Sequence, residues 1–351
     1  MAAGDPKVNL LDLIMCLSDA MDFINTALVN HHKRVAYIAF SIGKEMGMDD
    51  TKQSDLILAG ALHDIGALSL KERMDILSFD AADASAHAEA GYAILRLFDP
   101  LVNVAGLVRF HHSRWNHGEG APARGKRVPL GSHILHAADR IAVLVKTNAE
   151  VLGQAKAITR RIIKNRGTMF APEVVDAFTN LSRKEYFWLD ITSEVIPLIL
   201  SQRSKATSIT LSSDDLLGFS KLFSRIIDFK SPFTATHSSG VASTAELLAG
   251  LAGFDERDRR LIRISGYLHD LGKLAVPVEI LNKPAKLLEK EFNVIRHHAF
   301  YTYRLLETIP ELKTINTWGA FHHERLDGSG YPFHLSQREL PAGSQIMAVA
   351  D

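Results

Sequence analysis

The chain has almost no cysteine. Cys16 is the only one in 351 residues, so no internal disulfide can form, and a reducing compartment is expected. Long apolar runs are missing as well. The ~20 residues of a membrane span are nowhere approached, and "EVIPLIL", residues 194–200, is far too short. The opening "MAAGDPKVNLLDLIM" lacks the basic-then-apolar layout of a signal peptide. These absences predict a cytoplasmic protein with no membrane partner. Net charge is absent too, because 40 Lys and Arg balance 40 Asp and Glu. No global field then favours DNA, RNA or an anionic surface, and any anion site must be local. Finally, no stretch alternates with period two for long enough to build a sheet.

Histidine, by contrast, is abundant, with 16 residues that fall in clusters. The clusters repeat. "LILAGALHDIGAL" (56–68) answers "IRISGYLHDLGKL" (262–274), and the polar positions around them keep register. His31 precedes His63 by 32 residues, as His237 precedes His269. His87 and His298 each precede a His-His pair by 24 residues, His111-His112 and His322-His323. "VPLGSHILHAAD" and "LPAGSQIMAVAD" then end on Asp139 and Asp351. The order His, His-Asp, His, His-His, Asp thus occurs twice, while the residues between diverge.

The surrounding segments read as helices. "HKRVAYIAFSIGKEMGM" and "SSGVASTAELLAGLAGF" carry apolar residues at three-and-four spacing and finish near glycine, and "HAEAGYAILRLF" and "HAFYTYRLLETI" do the same. Residues 157–178 read as a helix, a Gly turn and a helix begun by Pro172. The Ser-Ser-Asp-Asp at 212–215 caps a connecting helix. "LLDLIMCLSDAMDFI" is a further helix, expected to pack on the first copy or to serve a homodimer contact.

Each copy holds five imidazoles and two carboxylates. That is too many for one closed four-coordinate zinc site, which would also tend to use cysteine. The set suits two metal ions that share a carboxylate and keep open positions. Imidazole-rich sites accept iron, zinc, nickel and similar ions, so the donors narrow the metal without naming it. Helical neighbours diverge by about 100°, which lets a His-Asp or His-His pair reach two nearby ions. Paired ions about 3.5–4 Å apart are a common device for attacking phosphate esters. Lys273, one turn from His269-Asp270, can then meet a phosphate oxygen. His32, His117, His133, His136, His297 and His334 recur in no register and read as ordinary core or surface residues, with Trp115 and Trp318 as core.

"HDLGK" (269–273), "ILNKP" (280–284), "HHERLDGSGYP" (322–332) and the closing "AVAD" resemble the HD-GYP family of metal-dependent phosphohydrolases. The likeness spans residues 233–351. It implies an all-α HD fold, two or three metal ions, often iron or manganese, and hydrolysis of cyclic dinucleotides, chiefly cyclic di-GMP. By position, the metal ligands would be His237, His269, Asp270, His298, His322, His323 and Asp351. Asp270 would bridge the ions and, with Lys273 on phosphate, carry the catalysis. Asp327, Gly328, Gly330, Tyr331 and Pro332 would shape the substrate side. A cyclic GMP-AMP substrate and a non-catalytic sensor of metal or nucleotide are the alternatives.

The chain departs from the family pattern in three places. Thr302 stands where the family commonly has Gly, Phe233 stands where members with a third metal have Glu, and the chain stops at Asp351. Two metals and a truncated second domain are therefore expected. The first copy keeps His31, His63, Asp64, His87, His111, His112 and Asp139, so it can also bind metal. It has Ala67 in place of Lys273 and "HHSRWNHGEGAPARGKR" in place of the GYP loop, which points to a regulatory domain. The expected layout is two tandem HD-type helical domains: residues 1–195, a helical linker over 196–232, and the HD-GYP domain over 233–351.

Overall fold

The computed structural model describes residues 6–22, 29–67, 79, 85–118, 122–123, 126–203, 209–229 and 236–351. The chain forms two compact units, one of Ala27–Ile209 and one of Thr210–Asp351 together with Met1–Thr26. The regular elements among the described residues are helices apart from two-residue strand pairs, so the all-α expectation holds. In chain order, α1 is Leu10–Asp22, α2 His31–Glu45, α3 Asp50–Leu62, α4 Ser85–Leu95, α5 Val102–Arg109 and α6 Leu130–Leu144. There follow α7 Leu152–Lys164, α8 Pro172–Leu181, α9 Glu185–Ile191, α10 Ile196–Arg203 and α11 Ser213–Phe229. The remainder are α12 His237–Leu251, α13 Glu256–Leu268, α14 Val278–Leu281, α15 Glu289–Glu307, α16 Lys313–Ala320 and α17 Ala342–Ala350. Strand β1 (Val8–Asn9) pairs antiparallel with Thr210–Leu211, and Pro122–Ala123 pairs with Lys126–Arg127.

The sequence repeat is a structural repeat. In one unit α2 packs on α3 and α6, α3 on α5, and α4 on α5. In the other, α12 packs on α13 and α17, α13 on α16, and α15 on α16. The same local signals start the second helix of each copy. Asp49 accepts the Lys52 N–H at 2.9 Å, and Asp255 accepts the Asp258 N–H at 2.8 Å, each capping an otherwise orphaned donor. Both helices then cross their neighbour on a glycine. A Cβ on Gly60 would lie 2.4 Å from Ala36 Cα, and one on Gly266 would lie 2.5 Å from Ala242 Cα. No larger residue permits that approach, and it carries His63-Asp64 and His269-Asp270 into the interior.

Two expectations about the ends of the units are corrected. Residues 10–22 pack not on the first copy but in the second-copy unit, where α1 lies against α15 and the 3₁₀ turn Leu271–Ala275, with the Cys16 thiol 3.4 Å from the Leu305 carbonyl. The helix is buried nearly all round, including Leu10, Leu13, Ile14, Leu17 and Met21, so it needs an enclosing core rather than a single face. The linker expected over 196–232 is likewise no linker. Helix α10 packs on α2 in the first-copy unit, whereas α11 packs on α12 and α13 in the second. Its capping box is as expected: Asp215 N–H donates to Ser212 Oγ at 3.2 Å, and Ser212 N–H donates back to Asp215 Oδ2 at 3.1 Å.

Candidate metal centre

In the second-copy unit, five helices deliver the registered residues to one place. His237 opens α12, His269 and Asp270 follow α13, His298 lies in α15, His322 and His323 follow α16, and Asp351 follows α17. Three imidazoles are locked in the same way. The Nδ1–H groups of His269, His298 and His322 donate to the carbonyls three residues back, those of Gly266 (2.8 Å), Ile295 (2.6 Å) and Gly319 (2.7 Å). A carbonyl can only accept, so each Nδ1 carries a proton and each Nε2 faces inward. That is the second-shell device that orients metal-binding histidines.

The inward atoms crowd without adequate partners. His298 Nε2 and His322 Nε2 are 3.2 Å apart. Asp270 turns Oδ2 to His269 Nε2 (3.2 Å) and His237 Nε2 (3.7 Å), and Oδ1 to His298 Nε2 (3.4 Å). Asp351 Oδ1 lies 3.0 Å from His237 Nε2 and 3.3 Å from His269 Nε2. His269 Nε2 and Asp270 Oδ1 are buried with no hydrogen bond, a costly state for polar atoms. Ligand atoms of His237, His269 and Asp270, of His269, His322 and Asp351, and of His298, His322 and His323 fall in sets within 4.8 Å. Electron-pair donors packed this way need cations, and the residues fit divalent metal ions.

The electrostatics agree. Burial pulls the His269 imidazole down, but Asp270 and Asp351 outweigh it and raise it to about 10. Burial would raise the Asp270 carboxyl, yet His269 and Lys273 hold it well below the usual carboxylate range. Burial, together with His298, lowers His323 to about 4, so it stays neutral and able to ligate at pH 7. Lys273 Nζ donates to Asp270 Oδ2, which puts its ammonium on the carboxylate that faces both sets of donors.

The glycine of "HDLGK" closes the centre. A Cβ on Gly272 would lie 2.0 Å from the His298 carbonyl, so only glycine lets the His269-Asp270 turn touch α15. Thr302, the departure from the family pattern, fits here. Its hydroxyl accepts the Gly272 N–H at 2.9 Å and donates to the His269 carbonyl at 3.0 Å. Phe233 lies outside the described residues.

Of the GYP loop residues, Tyr331 reaches the centre. Its ring lies 4.8 Å from the His323 imidazole, 31° from parallel, and its N–H donates to the His323 carbonyl at 3.2 Å. Gly330 packs against Glu324, where a Cβ would lie 2.4 Å from Glu324 Cα. Asp327 is not brought to the cluster. Its carboxylate accepts the Ser329 N–H (2.9 Å) and O–H (2.6 Å) within its own exposed turn, which Gly328 continues at φ +75°. Sequence reasoning missed Glu324. Buried, it accepts the N–H groups of Phe333 (2.6 Å) and Leu335 (3.0 Å) and so anchors the loop. The signal was its place directly after the His-His pair, where the first copy has Ser113. A cleft of about 790 Å³ opens beside the centre, lined among others by His322, His323, Arg325, Ser329 and Tyr331. Pro332 lines a neighbouring cavity.

The first-copy unit repeats the arrangement with differences. His63 and His111 donate Nδ1–H to the Gly60 (2.9 Å) and Val108 (2.6 Å) carbonyls. Asp64 turns Oδ2 to His63 Nε2 (3.1 Å) and Oδ1 to His87 (3.2 Å) and His111 (3.6 Å). His87 Nε2 is 3.1 Å from His112 Nε2, and His31 Nε2 is 3.4 Å from Asp139 Oδ1. Ala67 is buried where the other copy has Lys273. The nearby cation is instead Arg140, whose Nη2–H donates to Asp139 Oδ2 at 2.5 Å. His32 and His136, which recur in no register, are buried beside the cluster, with ring centroids 5.4 Å from His63 and 6.1 Å from His112 respectively. His133 is buried against Trp115. All the registered residues here are buried except the half-buried His112. Arg124 and Gly125 of the loop that replaces GYP lie outside the described residues.

Two family models, each described as an HD domain, match residues 28–144 and 221–351. The 3'3'-cGAMP-specific phosphodiesterase 1 of Vibrio cholerae is 28% identical over 98% of this chain and 82% of its own length. The 3'3'-cGAMP-specific phosphodiesterase 3 of the same organism is 26% identical over 100% and 87%. The cyclic di-GMP phosphodiesterase response regulator RpfG of Xanthomonas campestris is 35% identical over 44% of this chain and 41% of that protein. A crystal structure titled as a cyclic GMP-AMP specific phosphodiesterase of V. cholerae superposes with TM-score 0.70 over 98% of each chain at 21% identity, which shows a shared fold. The chain belongs to the HD superfamily, as a tandem of two HD domains whose second is of the HD-GYP type.

Proposed function

We propose that this chain is a metal-dependent phosphodiesterase acting on cyclic dinucleotides, with the working centre around Asp270 in the second-copy unit. One observation carries the reading: Asp270 faces His237 and His269 with one oxygen and His298 with the other, beside an open cleft. Two divalent ions, iron or manganese by family resemblance, would be held by His237, His269 and Asp351 on one side and His298, His322 and His323 on the other, with Asp270 between. Bound there, such ions would supply an activated water and neutralise charge on the attacked phosphate. The protein's own residues do the rest. Nδ1 hydrogen bonds hold the imidazoles in the ligating tautomer, Lys273 brings a cation to the phosphate, and Glu324 and Gly330 hold Tyr331 over the cleft. No described helix is long and apolar enough to cross a membrane, and we place the enzyme in the cytoplasm on the strength of its single cysteine.

Which dinucleotide is cleaved has two readings. Family resemblance of the motifs alone favours cyclic di-GMP. The relatives that match essentially the whole chain are named for cyclic GMP-AMP, and this second observation favours the mixed dinucleotide. The first-copy unit we read as a regulatory metal domain, because it has Ala67 for the lysine, Ser113 for Glu324, and a nearly closed cluster.

The experiment is incubation of metal-loaded protein with cyclic di-GMP, 3'3'-cyclic GMP-AMP and bis(p-nitrophenyl) phosphate. Turnover of a cyclic dinucleotide that is abolished by His269→Ala or Asp270→Ala and survives His63→Ala is the expected result. Indifference to all three substitutions rejects the enzyme reading, and dependence on His63 alone moves the chemistry to the other unit.

A further inference from the structure

Helix α15 carries Phe292, Arg296 and Phe300 four residues apart, a spacing that puts all three on one face. The two rings are 47% and 37% exposed, and each belongs to a different cavity. Phe292 lines the cleft beside His322 and His323. Phe300 lines a second cavity of about 570 Å³, with Asn293, His297, Tyr301 and Pro332. Arg296 and Tyr331 line both and form the ridge between them. The Arg296 guanidinium lies 4.7 Å from the centre of the Tyr331 ring, and that ring stacks beside His323. Among the described residues no carboxylate pairs with Arg296. Arg304, two turns further on, is by contrast paired with Glu307 at 2.6 Å. A guanidinium with no carboxylate partner, held over a ring between two aromatic-walled cavities, suits a ligand with an anion between two flat rings.

We propose that Arg296 grips the phosphodiester that is not being cleaved, while Phe292 and Phe300 each offer a ring face to one of the two bases. The proposal rests on the phosphodiesterase reading above. A guanidinium matches a phosphodiester with two parallel N–H donors. Base stacking on an aromatic face tolerates any base, so the stripe recognises the dinucleotide class and leaves base choice to the cavity edges. The division of labour is then clear. The centre around Asp270 takes one phosphate, and Arg296, across Tyr331, takes the other.

The test is calorimetric binding of a non-hydrolysable bis-phosphorothioate cyclic GMP-AMP, and of GMP, to the metal-loaded full chain. Arg296→Met weakens dinucleotide binding by roughly tenfold or more, the loss of one charge-assisted contact, and weakens GMP, which has no second phosphodiester, far less. Arg296→Lys recovers part of the loss. Phe292→Ala and Phe300→Ala each weaken the dinucleotide, and Arg304→Met leaves it unchanged. Wild-type-like dinucleotide binding by Arg296→Met, or an equal loss for GMP, overturns the proposal. Turnover of the unmodified dinucleotide by the wild-type chain is scored separately: binding that needs Arg296 without turnover rejects the phosphodiesterase reading alone. A wild-type chain that binds no dinucleotide rejects both.

Discussion

Thr302 ties Gly272 to His269. One hydroxyl accepts the N–H of the glycine that lets Asp270 approach α15 and donates to the carbonyl of the histidine just before. The first copy has Gly91 at this position, 3.7 Å from the Gly66 N–H when given a Cβ, and makes the same approach with no side chain at all. The threonine is therefore a second solution to one packing problem: the turn after the HD pair must lie flat on the helix that brings the middle histidine.

Thr302→Val keeps the shape and removes both bonds. Gly272 N–H and the His269 carbonyl are buried, so the substitution should lower stability by about 1–3 kcal/mol and loosen the centre. Chemical denaturation of the metal-free protein, with and without added metal, checks it. A variant as stable as the parent, with equal metal affinity, would show that the hydroxyl is incidental.

Gly272→Ala presses harder on the same contact. Its Cβ would meet the His298 carbonyl at 2.0 Å, and both partners are backbone, so neither can give way cheaply. A loss at the upper end of ~1–3 kcal/mol, with metal content falling in step, is expected from circular dichroism and elemental analysis. Gly66→Ala should do the same to the other unit, against the His87 carbonyl at 2.1 Å, and leave dinucleotide turnover in place.

These contacts show where the sequence was legible. The registered histidines and aspartates could be read because each is an unusual polar residue in an apolar run, and their spacing reports helix lengths that both copies share. The Ser212 cap could be read because its partner, Asp215, is three residues away. Helix α1 could not be placed: apart from Asp12 and Asp19 it is buried nearly all round, so its apolar surface does not say which core it enters, and its partners near Leu305 are almost 300 positions distant. Asp327, expected by resemblance to shape the substrate side, bonds its own turn through Ser329, as Asp followed by Gly and Ser does. Glu324 and Arg296 were hidden because a single charged residue carries no period, and only the backbone N–H groups or ring it meets give it meaning.

The proton on the metal-free centre predicts a pH dependence. His269 is raised from 6.5 to about 10 in the folded chain, burial opposing and Asp270 and Asp351 prevailing, and His63 is raised to about 9, burial opposing and Asp64 prevailing. The folded values exceed the unfolded one, so this stabilisation of the metal-free fold is complete below pH 6.5 and is lost as pH climbs toward 9 and 10. A divalent ion competes with the same protons. Apparent metal affinity should thus rise with pH across that window, by about tenfold per unit for each proton displaced. His323, neutral above about 4, releases none. Metal titrations at pH 7 in buffers of different ionisation enthalpy should detect release near one proton per centre. Affinity that does not change between pH 6.5 and 8.5 counts against this protonation.

Lys273 separates holding metal from using it. Its ammonium rests on Asp270 Oδ2, the oxygen that His237 and His269 also face, so in the metal-free chain it competes with an incoming ion for that lone pair. Removing the charge should leave metal affinity equal or higher, because a carboxylate freed of its ammonium is the better ligand. Turnover of dinucleotide should nevertheless fall by about 10–100-fold, the worth of one charge-assisted contact to a phosphate in the transition state. Lys273→Met, which keeps the apolar stem, makes the comparison through competition with a chelator alongside steady-state kinetics. If metal affinity and turnover fall together, the lysine only braces Asp270, and the phosphate contact must come from elsewhere. If metal holds and turnover drops, the difference between the two units follows from one position: Ala67 leaves the first-copy centre able to hold ions and without the cation that would act on a substrate.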